Sequence, residues 1–219
     1  MHVLCISSPV ANILHPAQSL SLCVKGLSAL HLHPPRLIMS PVASTQYVPN
    51  MGQCDFMIPP CDISFLYPDK QPHALPISLW VKYVDEPIPP TSRHWAIVWK
   101  VPHSPHGAPT STQAFRHLHI TRERDKKGTP CAHLTNWGPM TKAVTPDDLT
   151  RSRLIHLGEV DLKGRKRLEE IASATPVVVP DGVWNCQDWI LTVLQTAVEE
   201  GVMPPDLDVE EVKAAALSY

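Results

Sequence analysis

The chain has 219 residues, 43% of them hydrophobic, and a formal net charge of −2. That composition allows a packed core and excludes wholesale disorder, while the lack of a basic run argues against a nucleic-acid partner. Twenty-four prolines against nine glycines exclude a mostly helical chain. Residues 1–50 contain no acidic residue, and Lys25 and Arg36 are their only basic ones. This stretch lacks the basic start of a signal peptide and reads as a disordered extension, or as the product of a misassigned start with Met39 as the real one. Residues 1–75 are accordingly assigned to a proline-rich, largely irregular extension, and residues 76–219 to a single domain.

Within that domain the predicted elements follow in order. Ile77–Val84 and His94–Val101 read as strands, rich in β-branched and aromatic residues and closed by prolines. Ala114–Thr121 reads as a third strand, and Ala132–Trp137 and Arg153–Val160 as weaker ones. Lys163–Ala174 carries Leu168, Ile171 and Ala172 on one helical face and stops before Pro176. Trp184–Gly201 is the best helical pattern, with Asn185 as N-cap and Gly201 ahead of Pro204 as its stop. A short helix is predicted over Asp208–Leu217. Strands followed by helices predict an α+β fold, an antiparallel sheet packed against helices.

The six cysteines, at 5, 23, 54, 61, 131 and 186, show neither CxxC pairs nor disulfide-framework spacing. This points to a reducing, cytoplasmic setting. No apolar run reaches the roughly 18 residues of a membrane span, so no integral membrane segment is expected.

Among these cysteines Cys186 stands out. It falls in the first turn of the best helix, where free N–H groups and the helix dipole favour a thiolate. It also starts the stripe Trp189, Ile190, Val193, Leu194 and Ala197, so its side chain is expected to face the sheet. A buried structural thiol is the ordinary alternative. His94 shares a strand face with Ala96 and Val98, and His117 shares one with Phe115, His119 and Thr121. A cysteine on a helix start and histidines on neighbouring strands are the parts of a thiol nucleophile, its base and an orienting group.

The wording around these residues, His94-Trp-Ala-Ile, His117-Leu and Asn185-Cys-Gln-Asp-Trp-Ile, resembles the lecithin:retinol acyltransferase type of protein. It also resembles small fungal proteins with His-Trp on a strand and a cysteine on a late helix. The former are circular permutations of the papain-like, NlpC-type fold in which histidine precedes cysteine. The resemblance spans roughly residues 77–202. It implies Cys186 as nucleophile, His94 as base and His117 as third member, with His119 an alternative that strand alternation does not separate from His117. The chain departs from the pattern where Gln187-Asp188-Trp189 replaces Glu-His-Phe, and no membrane helix follows.

The function expected is a thiol-dependent hydrolase or acyl transferase on a small-molecule, peptide or acyl substrate, working through an acyl-enzyme without a cofactor. Two alternatives stand beside it. One is a non-catalytic binding or scaffold module on the same fold. The other is a small domain stabilised by zinc on His117, His119, Cys131 and His133. Trp95, Trp99, Trp184 and Trp189 are read as core or pocket residues, Lys163–Arg167 as a solvated helix face, and Asp147-Asp148 as loop.

Overall fold

A computed structural model of the protein describes residues 45–82, 88–102 and 113–218. Residues 1–44 of the extension assigned to 1–75 therefore lie outside the described residues, as does the proline-rich loop between the second and third strands. The secondary elements are β1 (Leu75–Lys82), β2 (His94–Val101), β3 (Gln113–Leu118), β4 (Ile120–Thr121), β5 (Thr135–Asn136), β6 (Met140–Val144), α1 (Pro146–Thr150), β7 (Ser152–Val160), α2 (Leu162–Ala174), α3 (Cys186–Glu199) and α4 (Val209–Leu217). The fold is mixed α+β. Five strands form an antiparallel sheet in the order β6-β3-β2-β1-β7, and β4 pairs with β5 in a small ribbon.

Period-two alternation sorts the sheet residues onto two unlike faces. Ile77, Leu79 and Val81 of β1 and Trp95, Ile97 and Trp99 of β2 face α2, α3 and α4. They join Leu168, Ile171, Trp189, Ile190, Val193 and Leu194 in the main core. Trp80, Ala96, Val98, Phe115 and Val144 face the other way into a smaller cluster, where Leu149 of α1 is the helical neighbour. The face with the larger side chains takes the helices, because it removes more apolar area from water.

The helices begin where the sequence provides caps. Asn185 accepts from the Gln187 N–H while Asp188 accepts from the Asn185 N–H, a reciprocal cap at the start of α3. Asp161 caps α2 and Asp208 caps α4. Asp147 and Asp148 belong to a short helix and not to a loop, because Thr145 and Asp148 form a second reciprocal cap and Pro146 sits at the first helical position. In β7, Gly158 adopts φ +140° at a bulge opposite Ile77, and a Cβ there would meet Pro204 Cγ at 2.6 Å.

The packed unit reaches back beyond residue 76. Residues 46–48 pair with 177–179 through Val48 N–H to Val177 O and Val179 N–H to Gln46 O. Tyr67 and Met57 are buried, and Asp69 is buried against Arg165. The expected solvated face at Lys163–Arg167 is only partly so. Lys163 and Arg167 fit it, whereas Arg165 is 0% exposed and Glu169 is buried, because acceptors from residues 69–73 and Glu169's partner Arg116 lie beneath the helix. Among the described residues no helix is long and apolar enough to cross a membrane.

Candidate functional site

Two cavities bring together the residues singled out by the sequence, and they divide those residues between them. The first is a half-enclosed cavity of about 140 Å³ on the face away from the long helices. Trp80 and Lys82 of β1, His94 and Ala96 of β2, His117 and His119 from β3 and its end, Lys142 of β6 and Asp148 of α1 all line it. His117 and His119 are buried and His94 is half-buried.

Hydrogen bonds link three of these groups in a chain. Lys142 Nζ donates to His119 Nε2 at 3.0 Å, and His119 Nδ1 lies 2.8 Å from His94 Nε2. Since Nε2 of His119 accepts from the lysine, a neutral His119 carries its proton on Nδ1 and donates it to His94 Nε2. His94 then holds its own proton on Nδ1. His117 stands beside this chain, its ring 5.2 Å from that of Trp80 and 5.7 Å from that of His119. Its Nε2 is buried with no hydrogen-bond partner among the described residues.

The cluster is electrostatically strained. Burial, and then the charges of Lys142 and Lys82, lower the His94 pKa to about 4. Burial, Lys142, His94 and Lys82 lower His117 to about 3, against a small opposing pull from Asp148. His119 is held well below the usual imidazole range by burial, with His94, Lys142 and His117 adding to it. Burial also lowers Lys142. Lys82 is paired with Asp148 at 3.1 Å, whereas Lys142 has no carboxylate within ion-pair distance among the described residues. All three imidazoles are therefore neutral at pH 7, next to a cation whose nearest acidic groups, Glu123 and Asp62 among them, lie beyond ion-pair distance.

Cys186 opens onto a different cavity of about 500 Å³, lined by Ser92, Arg93, Arg122, Trp184 and Asn185. Its sulfur packs with the main core, on the helix-bearing side of the sheet. The thiol donates to the Arg93 carbonyl, 3.9 Å away, and its sulfur accepts from the Trp95 N–H. Burial pushes the thiol pKa up, and the N–H groups of Trp95, Cys186 and Gln187 only partly oppose it. The expectation that a helix start makes this thiol a thiolate thus meets an opposing desolvation effect that wins. Gln187, which stands where the resembling motif has glutamate, ties α3 to the entry of β2 by donating to the Pro90 and Arg93 carbonyls.

The structure thus brings His94, His117 and His119 together and sets Cys186 apart from them. Trp95, Ile97 and Trp99 point to α3, so His94, one residue out of phase, points away from it. Among the described residues His94 and Cys186 share no hydrogen bond. The proposed zinc ligands are also separate. His133 Nε2 bonds with the Gly52 carbonyl, while His119 is engaged by Lys142 and His94. No group of three His, Cys, Asp or Glu side chains among the described residues is placed to hold a metal ion.

Trp80, Lys82 and Lys142 line the cavity without belonging to any of the sequence motifs. Trp80 and Lys82 are legible in part, since they alternate out of phase with Ile77, Leu79 and Val81. Lys142 carries no local signal, because it reaches His119 only through the pairing of β6 with β3. No protein-family model, curated protein or solved structure matches the chain.

Proposed function

We propose that the domain is a non-catalytic module that binds a small molecule in the histidine-lined cavity. One observation carries this reading: three imidazoles and two lysines line one cavity, and the buried His117 Nε2 has no partner among the described residues. Burying polar groups without full hydrogen bonding destabilises a fold, so such a cluster is characteristic of a site more than of a core. The apolar wall of Trp80, Ala96 and Val144 provides contact area, as ligand pockets require. The order of a histidine-bearing strand before a cysteine-bearing helix is, in this proposal, inherited from a permuted papain-like ancestor without its thiol chemistry.

The test is a ligand-observed NMR screen of small organic compounds against wild type and Ala96→Leu. Ala96 lines the cavity, and leucine there takes up part of its space. Compounds that bind wild type and are lost in a folded Ala96→Leu support the reading. Compounds lost instead after alkylation of Cys186 would move the site to the other cavity.

A second reading, the thiol hydrolase or acyl transferase with Cys186, His94 and His117, draws on the open cleft beside Cys186 and the Trp95 N–H on its sulfur. The two readings predict opposite alkylation behaviour. In the binding module, Cys186 reacts with iodoacetamide at pH 6.5 no faster than exposed Cys61, because its thiol is held protonated. Faster labelling of Cys186 that His94→Ala abolishes would favour the enzyme, and peptide mapping by mass spectrometry reads both rates.

A further inference from the structure

Resting on the ligand-binding reading, we infer that the cavity takes a small monocarboxylate whose anionic end sits by Lys142 and His117 and whose apolar body lies against Trp80. Charge sets the first part of this assignment. Lys82 and Asp148 neutralise each other at 3.1 Å, and the three histidines are linked or stacked as neutral rings. Lys142 is half-buried with one hydrogen bond among the described residues, to His119, and Glu123 and Asp62 act on its charge only from beyond ion-pair distance. One anionic charge completes the site, and the dianionic form of phosphate overfills it. A half-buried ammonium without a counter-ion is unfavourable, and a carboxylate beside it gives a charge-assisted hydrogen bond.

Size and surface set the second part. At about 140 Å³ the cavity is close to the ~150 Å³ known to admit a benzene-sized body. Its walls include the Trp80 ring, which is 5% exposed, together with Ala96 and Val144. A planar ring or a short branched chain fits this space, whereas a sugar or nucleotide exceeds it. His117 also lines the cavity, and its buried Nε2, which nothing among the described residues engages, comes within a ligand's reach on a small turn of the ring. As the Nε2–H tautomer it donates, so it serves a carboxylate oxygen better than a cation.

The experiment uses the full chain and titrates benzoate, its neutral isostere benzamide, and inorganic phosphate by isothermal calorimetry and by the Trp indole NMR signals. The variants are Lys142→Met and His117→Phe, each checked for folding by circular dichroism. Benzoate is expected to bind at least tenfold more tightly than benzamide, with Lys142→Met erasing that difference and His117→Phe weakening benzoate. Equal binding of benzamide and benzoate would overturn the anion assignment and leave the ligand-binding reading standing. Tighter phosphate binding would replace the carboxylate by an oxyanion. Benzoate that shifts no cavity signal overturns the assignment, and the binding reading falls separately if the screen yields nothing lost in Ala96→Leu. Should either variant fail to fold, the comparison of benzoate with benzamide on wild type still decides the anion preference.

Discussion

Asp69→Ala is expected to destabilise the domain by about 3–5 kcal/mol, read as a fall in Tm of roughly 10 °C or more. Asp69 accepts both arms of the Arg165 fork, from Nε and Nη2 at 2.8 Å each, and also the Trp99 indole N–H at 2.9 Å. Arg165 spends its other N–H groups on the carbonyls of Gln71, His73 and Val160. Burial alone would raise the Asp69 pKa, yet the hydrogen bonds from Arg165 and Trp99 and the arginine charge hold it below the usual carboxylate value. Removing the carboxylate leaves a guanidinium buried without its counter-ion, and breaking such a pair costs far more than its net worth when intact. The double variant Asp69→Ala/Arg165→Met removes both charges and is expected to recover part of the loss. Full recovery is not expected, because three carbonyls and the Trp99 N–H lose their partners. Chemical denaturation of the three proteins checks this. A single-variant loss below about 1 kcal/mol would show that the pair does not hold residues 69–73 on the sheet.

Arg165 also marks where reading from sequence stops. In Lys163-Gly-Arg-Lys-Arg167 nothing local distinguishes the buried arginine from its solvated neighbours, since its partners other than the Val160 carbonyl lie more than ninety residues earlier. Strands and helices with a strong period are legible: β2 spans the predicted residues, and α3 follows its Asn185 cap. The strand Met140–Val144 is not, because its mixed residues alternate weakly and its place comes from pairing with β3. The two-residue strands β4 and β5 are too short to carry a period at all.

The candidate site is legible in its parts and not in its assembly. Alternation sets His117 and His119 on one face and His94 with Ala96 and Val98, and those placements describe the cavity. Which face α3 covers is a tertiary choice that no motif spacing decides. The chain nevertheless carries a cue. Trp95, Ile97 and Trp99 are bulkier than Ala96 and Val98, and the bulkier face draws the helices. By side-chain bulk alone, then, the two faces of β2 separate His94 from the cysteine-bearing helix.

Acidification is expected to unfold the protein through the histidine cluster well before the carboxylates titrate. An unfolded histidine has a pKa near 6.5, whereas His94 sits at about 4, His117 at about 3 and His119 well below its usual value. Between these limits the unfolded chain binds protons that the folded one does not. Stability is therefore complete above about pH 6.5 and falls as pH drops toward 4. Each histidine that stays neutral in the fold contributes a slope of about 1.4 kcal/mol per pH unit. Because the three rings share one site with Lys142, Lys82 and Asp148, their effects do not simply add. A loss of roughly 3–4 kcal/mol between pH 6.5 and pH 5 is the expected size, a large part of the stability of an ordinary domain. His117→Phe isolates one member. Phenylalanine keeps a ring against Trp80 and removes the unpartnered Nε2, so about 1–2 kcal/mol is gained at pH 7, with a larger gain at pH 5. The variant should also shed one proton from the uptake on unfolding, visible as a shallower dependence of the urea midpoint on pH. Wild-type stability that stays flat from pH 6.5 to pH 5, or a His117→Phe slope equal to that of wild type, would mean that these imidazoles are not held neutral by the fold.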